Sequence, residues 1–166
     1  IQKIKQPEIL IEIAEIIKKN DLNIKICSFG YDKEGLLKHL KKKINEKKLN
    51  NYIKFFNFKY PIEPWILNMN IILASSLSDG FGRTIIEAMF LKRPVIASKA
   101  GGHLELIKNN FNGILVKKDD PNEYFLAIIK LSKNNFFYKN IVKNGYENCS
   151  KFSQEKNLEI LSRIYE

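Results

Sequence analysis

Between Ser75 and Met89 the sequence reads Ser-Ser-Leu-Ser-Asp-Gly-Phe-Gly-Arg-Thr-Ile-Ile-Glu-Ala-Met, and this stretch holds the chain's densest set of side chains able to do chemistry. It joins the end of an apolar, strand-like run to the start of a helix-like one. At such a junction the first backbone N–H groups of the helix lack internal partners and the helix dipole is positive, which makes an anion site suited to phosphate. Gly80 and Gly82 would let a ligand approach the backbone closely, while Arg83 and Thr84 add side-chain donors. Two carboxylates, Asp79 in the loop and Glu87 one turn into the helix, stand with seven residues between them. Glu87 could accept both hydrogens of a vicinal diol such as a ribose, and Asp79 could take the hydroxyls of a sugar. Taken alone, the same residues also read as a tight turn with Asp79 as a helix cap, because a lone GxG is a weak signal.

The elements that must position this stretch follow from hydrophobic periodicity. Pro7 and the apolar series Ile9, Leu10, Ile13, Ile16 and Ile17 predict a helix over 7–19. Leu22, Ile24 and Ile26 alternate into Cys27-Ser28-Phe29, a strand ending at Gly30. Asp32 caps a basic helix over about 33–48, a strand follows at 53–58, and a short helix carries the lone Trp65. Strands at 70–74, 94–97 and 114–116 alternate with helices near 83–91 and 103–108, and Asp120-Pro121 opens a further helix. Helices fill most of the remainder, with breaks near Asn134-Asn135 and Phe152-Ser153. Short apolar strands alternating with helices predict a parallel sheet covered on both faces, a Rossmann-like doubly wound α/β domain spanning 1–166. Such sheets bind ligands beyond the C-terminal ends of their strands, which directs attention to the residues after Phe29, Phe58, Ala74 and Ala97.

Composition sets the outer limits. The 166 residues are 45% hydrophobic and 28% charged, which excludes a disordered chain, a collagen-like repeat or a disulfide-stapled miniprotein. The net charge of +10 suits phosphates, nucleic acid or an anionic membrane surface without choosing among them. Cys27 and Cys149 have no metal-like or redox spacing and read as free thiols of a reducing cytosol. The first residue is Ile1, not Met, which reads as a piece of a longer protein.

Several ordered motifs extend the loop signal. Asp79-Gly80-Phe81-Gly82 leads to Glu87-Ala88-Met89, then Pro94-Val95-Ile96-Ala97, Gly101-Gly102-His103-Leu104-Glu105 and Asn112-Gly113-Ile114-Leu115-Val116. In this order and spacing they resemble the nucleotide-sugar-binding half of retaining GT-B glycosyltransferases of family 4, the group 1 transferases. The Phe152-Ser153 ending is similar as well. The resemblance implies the C-terminal half of a GT-B enzyme, lacking the N-terminal domain that binds a glycan or lipid-linked acceptor. It further implies transfer of a hexose-type sugar from a nucleotide diphosphate donor without a metal or other cofactor. Carried over by position, Glu87 would hold the ribose and Asp79 the transferred sugar, so these two are the catalytic candidates. Gly80, Phe81, Gly82, Arg83 and Thr84 would cradle sugar and diphosphate, Lys59 would lie at the base, and Lys5 (with Lys3 as the alternative) would meet the diphosphate. Asp79 stands where the family has glutamate, Gln6 where it has glycine after the lysine, and the family's Gly-Arg pair would lie upstream of Lys3.

The remaining candidates read as structural. His103 is expected to stabilise a turn or face solvent, His39 to sit on a solvated surface, and Glu105 to hydrogen-bond the nearby turn. Tyr52, Phe55, Phe56, Phe58 and Tyr60 read as core aromatics of a strand, so no nucleic-acid partner is expected. The basic stretch 38–48 reads first as a solvated helix face and second as a peripheral contact with an anionic membrane, for an enzyme working in the cytoplasm at its inner face. The competing class is a non-catalytic nucleotide- or nucleic-acid-binding module. A carboxylate at Glu87 separates the two, since a groove for phosphate backbones should avoid an anion there.

Overall fold

A computed structural model of the chain describes residues 1–78, 80 and 82–149. Asp79, Phe81 and the Phe152-Ser153 ending lie outside the described residues. A single 3₁₀ turn, Lys3–Lys5, leads into α1 (Pro7–Lys19). The chain then alternates through β1 (Ile26–Phe29), α2 (Leu37–Glu46), β2 (Ile53–Phe56), α3 (Glu63–Leu67), β3 (Ile72–Ala74), α4 (Arg83–Phe90), β4 (Val95–Ser98), α5 (His103–Leu106) and β5 (Ile114–Val116). It closes with α6 (Pro121–Lys133) and α7 (Asn135–Cys149).

All strand pairs are parallel. β1 pairs with β2 in one ladder, with Ile26 opposite Ile53 and Phe29 opposite Phe56, and β3-β4-β5 form a second ladder. Side chains alternate across a strand, and β4 shows the consequence. Its Ile96 enters a core shared with Ile13 and Ile17 of α1, Tyr124 and Leu131 of α6, and Ile53 and Phe55 of β2. Its Val95 and Ala97 enter a second core with Ile85, Ala88 and Met89 of α4, Leu106 of α5 and Cys149 of α7. One core therefore spans both ladders beneath α1, and the other lies under α4. This is the α/β arrangement, with helices on both faces, that the periodicity predicts.

Local chemistry explains the boundaries. Asp32 accepts from the Leu36 and Leu37 N–H groups at 2.8 and 3.0 Å, so it does cap the basic helix, but across a turn at Gly35 that delays regular helix to Leu37. Asp120 accepts from the N–H groups of Asn122 and Glu123 at 3.0 and 3.2 Å, with Pro121 at the first helical position. The first strand is shorter than its alternation suggests. Ile24 N–H closes back on Leu22 C=O at 2.9 Å, which turns the chain before Ile26 can join β2. Among the described residues no helix is long and apolar enough to cross a membrane.

Candidate functional site

The site grows from the exit of β3. Ser75 Oγ donates to the Lys5 carbonyl at 2.8 Å, and Leu77 N–H donates to the Ile4 carbonyl at 2.7 Å. These two bonds pin the Lys3–Lys5 turn to the loop leading to α4, and they place Lys5, whose side chain is exposed, beside that loop. The next residue, Gln6, adopts φ +48°, the left-handed region that glycine favours. Its side-chain amide donates to Asp119 Oδ1 at 2.6 Å, which ties the start of α1 to the loop after β5.

At the other side of the loop Gly82 caps α4 with φ +65°. A Cβ there would stand 2.9 Å from Leu106 Cδ1 and 3.5 Å from the His103 ring, so space and backbone both demand glycine. Among the described residues no side chain caps this helix. The first-turn N–H groups of Arg83 and Thr84 therefore open toward the loop, with the positive end of the helix behind them. Gly80 is exposed with nothing near its Cβ position, so packing does not require a glycine there.

Glu87 follows one turn along α4. Partial burial pushes its carboxyl above the ordinary carboxylate range, Arg83 one turn earlier pulls it back, and Glu63 at the start of α3 adds a further push upward. A carboxylate held between desolvation and a second anion gains more than usual from neutral hydroxyl donors, which is the chemistry of a diol site. Glu63 opens α3, the short helix that follows the exit of β2. Lys59 lies in that exit with Nζ 5.1 Å from the Trp65 ring centroid, a cation–π contact. Gly82, Arg83, Thr84 and Glu87 thus share the first turns of α4, Lys5 is held against the loop leading into it, and Lys59 lies against Trp65 after β2.

The aromatics correct one expectation. Phe55 is buried and Phe29 stacks on Phe56 at 5.1 Å beside Trp65, as a strand core should. Tyr31 and Phe58 continue that column past the strand ends, stacked at 4.4 Å but 61% and 43% exposed, and Tyr60 is 89% exposed. The alternation that buries one strand position lapses once the strand ends at Phe56, so Phe58 and Tyr60 face solvent at the rim.

His103 is likewise not a surface residue. It is fully buried, with Nδ1 3.1 Å from Ser98 Oγ and 3.0 Å from Ser98 O. The Ser98 hydroxyl commits its one hydrogen to the Ser76 carbonyl at 2.5 Å, and a carbonyl only accepts, so the proton of this pair of contacts sits on His103 Nδ1. Ser76, Ser98, His103 and Gly82 form a continuous floor beneath the α4 entrance. Ser98 and Ser76 were not among the residues singled out from sequence; the only signal was a pair of serines at strand ends. Glu105 is exposed and, among the described residues, its carboxylate makes no hydrogen bond to the turn, while His39 lies on the surface 3.5 Å from Glu8.

Concavities among the described residues include one along α1 and one beside the Lys3–Lys5 turn. The larger, about 640 Å³, follows the outer side of α1 between Lys47 and Pro121 and includes none of the predicted site residues. The other, about 400 Å³, lies at Lys3, Gln6, Leu77 and Asp119, next to the Lys5 loop. Among the described residues no three His, Cys, Asp or Glu side chains gather as a metal ion would need.

The sequence profile described as Glycosyl transferases group 1 matches residues 1–148. The chain belongs to this family. It is 30% identical over 156 residues to an uncharacterized glycosyltransferase of Methanocaldococcus jannaschii, covering 93% of this chain and 43% of that protein. It is 29% identical to the poly(ribitol-phosphate) alpha-N-acetylglucosaminyltransferase of Staphylococcus aureus, covering 93% and 31%. Among solved structures, HepE of Anabaena in complex with UDP superposes with a TM-score of 0.88 at 25% identity, over 99% of this chain and 46% of that one. The C-terminal domain of a group 1 family protein from Francisella tularensis superposes with a TM-score of 0.79 at 29% identity, over 91% and 80%. The chain therefore spans less than half the length of these curated relatives, and its fold is the Rossmann-like C-terminal half of a GT-B glycosyltransferase.

Proposed function

We propose that this group 1 glycosyl transferase domain binds the nucleotide diphosphate sugar of a retaining, metal-independent glycosyltransferase. The observation that carries the reading is the entrance to α4: a helix N-terminus without a side-chain cap among the described residues, behind a left-handed Gly82, with Lys5 pinned to the loop that leads into it and Glu87 one turn inward. The spacing from the helix end to Glu87 suits a diphosphate on the N–H groups and Lys5, with the ribose diol on the carboxylate. Nucleotide binding in HepE, solved with UDP and with UDP-glucose, supports it.

Catalysis on this reading is charge neutralisation rather than covalent attack. As the bond from the sugar to the diphosphate breaks, the electron pair leaves with the diphosphate, and Lys5 with the α4 N–H groups stabilises that charge. The acceptor hydroxyl enters from the face the diphosphate leaves and passes its proton to the departing diphosphate oxygen, which keeps the configuration. Asp79 would orient the hexose, Gly80 and Phe81 would line its path, Arg83 and Thr84 would add donors, and Lys59 would lie by the base. The acceptor, a glycan or a lipid-linked glycan, would be held by a second, N-terminal domain. The enzyme would work in the cytoplasm, with the lysines of α2 as a peripheral contact to an anionic membrane.

Calorimetric titration with UDP, GDP and ADP, beside Glu87→Ala, tests this. Saturable binding of one diphosphate, weakened at least ~10-fold in Glu87→Ala and unchanged by a chelator, is the expected result. Salt-sensitive binding of single-stranded RNA that ignores Glu87 would instead favour the nucleic-acid module.

A further inference from the structure

The turn that carries Lys5 has little packing of its own. Lys3–Lys5 is a single 3₁₀ turn with none of its residues buried, so its position depends on hydrogen bonds to its surroundings. Three loops supply them. The Lys3 N–H donates to Glu34 Oε2 at 3.1 Å, in the loop after β1. The Ile4 and Lys5 carbonyls accept from Leu77 N–H and Ser75 Oγ, in the loop after β3. The Gln6 amide donates to Asp119 Oδ1 at 2.6 Å, in the loop after β5.

Gln6 is where this arrangement works against local preference. Its φ of +48° lies in the left-handed region, which a residue with a Cβ enters at a cost and glycine enters freely. Its Oε1 is buried and accepts no hydrogen bond among the described residues, a second cost at the same side chain. A residue persists in such a state only where its surroundings over-determine it. What offsets both costs is the bond to Asp119, which is short and has a carboxylate as acceptor. The backbone beside Asp119 is itself anchored. Asp120 N–H donates to the Lys117 carbonyl at 3.3 Å, Lys117 N–H donates to Glu123 Oε2 at 2.7 Å, and Val116 pairs with Ser98 of β4. Asp119 is thus the fixed partner, and the exposed turn is what it holds.

We propose that Asp119 is a positioning residue for the donor diphosphate, acting through Gln6 to hold the left-handed turn that keeps Lys5 against the loop leading into α4. The bond does for a side chain at position 6 what glycine would do unaided. Asp119 therefore matters only while residue 6 carries a side chain, because glycine adopts the same turn without a partner. The expected sign is the reverse of a charge effect. By Coulomb attraction alone, removing an anion from the neighbourhood of Lys5 would favour the diphosphate, whereas losing the bond that holds the turn weakens it. The inference rests on the reading of Lys5 as a diphosphate contact.

Calorimetric titration of the 166-residue chain with UDP, GDP and ADP tests it, with amide exchange followed in parallel. Asp119→Ala should weaken the diphosphate that the native chain takes ~10-fold or more. It should also speed exchange of the Gln6 and Leu77 amides, which donate to the Lys3 and Ile4 carbonyls. Asp119→Asn keeps an oxygen for the Gln6 amide and should stay within ~3-fold of native affinity. Adding Gln6→Gly to Asp119→Ala should restore affinity to within ~3-fold, which a general loosening of the loop after β5 would not allow. Asp120→Ala, the same change one residue along, should leave affinity as it is. Affinity or exchange left unchanged by Asp119→Ala, tighter binding, or no rescue by Gln6→Gly would each overturn the proposal. If the native chain takes none of the three nucleotides, the reading of the site falls and the proposal with it; native binding that ignores Asp119 sinks the proposal alone.

Discussion

Gly82 carries two demands in one residue, a left-handed backbone and a Cβ position 2.9 Å from Leu106. Left-handed φ costs an ordinary residue about 1–2 kcal/mol, and the contact adds to it. Gly82→Ala is therefore expected to lose about 2 kcal/mol, lowering the thermal midpoint by roughly 4–8 °C in a domain of this size. Differential scanning calorimetry reads this directly, and an unchanged midpoint would contradict it. Glu87 makes the complementary case. Its carboxyl is raised from an ordinary value near 4.5, so the protonated form is favoured by folding. That contribution is fully present below the unfolded value and is lost as pH rises through the folded one. Glu87→Gln should match the native chain in acid and become the more stable of the two as pH rises through and above the carboxylate range, measured by urea unfolding across that interval. Gln6 shows what sequence could and could not supply. Its place after Lys5 is one where the family resemblance implies glycine, and φ +48° is the backbone that glycine adopts most readily. The bond that holds a non-glycine residue there goes to Asp119, 113 residues away, and no local pattern announces such a partner.

The helices were legible where their ends are set by neighbours in sequence. Asp120 and Pro121 fixed the start of α6, and Pro7 fixed that of α1, because caps act over two or three residues. Asp120→Ala should cost about 1 kcal/mol in chemical denaturation and leave nucleotide affinity unchanged, since the cap serves α6 alone. Strand limits were less legible. β2 ends at Phe56 although Phe58 continues its apolar alternation, because a strand's length depends on how far its neighbour runs, and β1 ends at Phe29. The His103 burial was hidden for a related reason. A histidine after two glycines looks like a loop residue until Ser98 of β4, in register with Val116 of β5, is set against its ring.

At the scale of the molecule, alternation of apolar strands and helices predicted the layers, and the order of motifs predicted the family that the comparisons show. The split between the two ladders was not foreseen, because which strands become neighbours is decided by the crossovers and not by any single segment. The candidate site straddles that split: Lys5 comes from the segment between the ladders, Gly82 and Glu87 from the helix after β3, and Lys59 from the exit of β2. The site's floor, by contrast, is held by bonds wholly within the β3-β4 side.

Trp65 is the only tryptophan in the chain, 36% exposed, packed on Phe29 and Phe56, and overlain by Lys59. Its indole stands two residues from Glu63, the side chain whose charge reaches Glu87. The protein therefore carries an intrinsic optical reporter at the rim of its candidate site. Ultraviolet emission from a single fluorophore follows whatever displaces Lys59 or shields Glu63, with no dye attached and no second indole to confuse the signal.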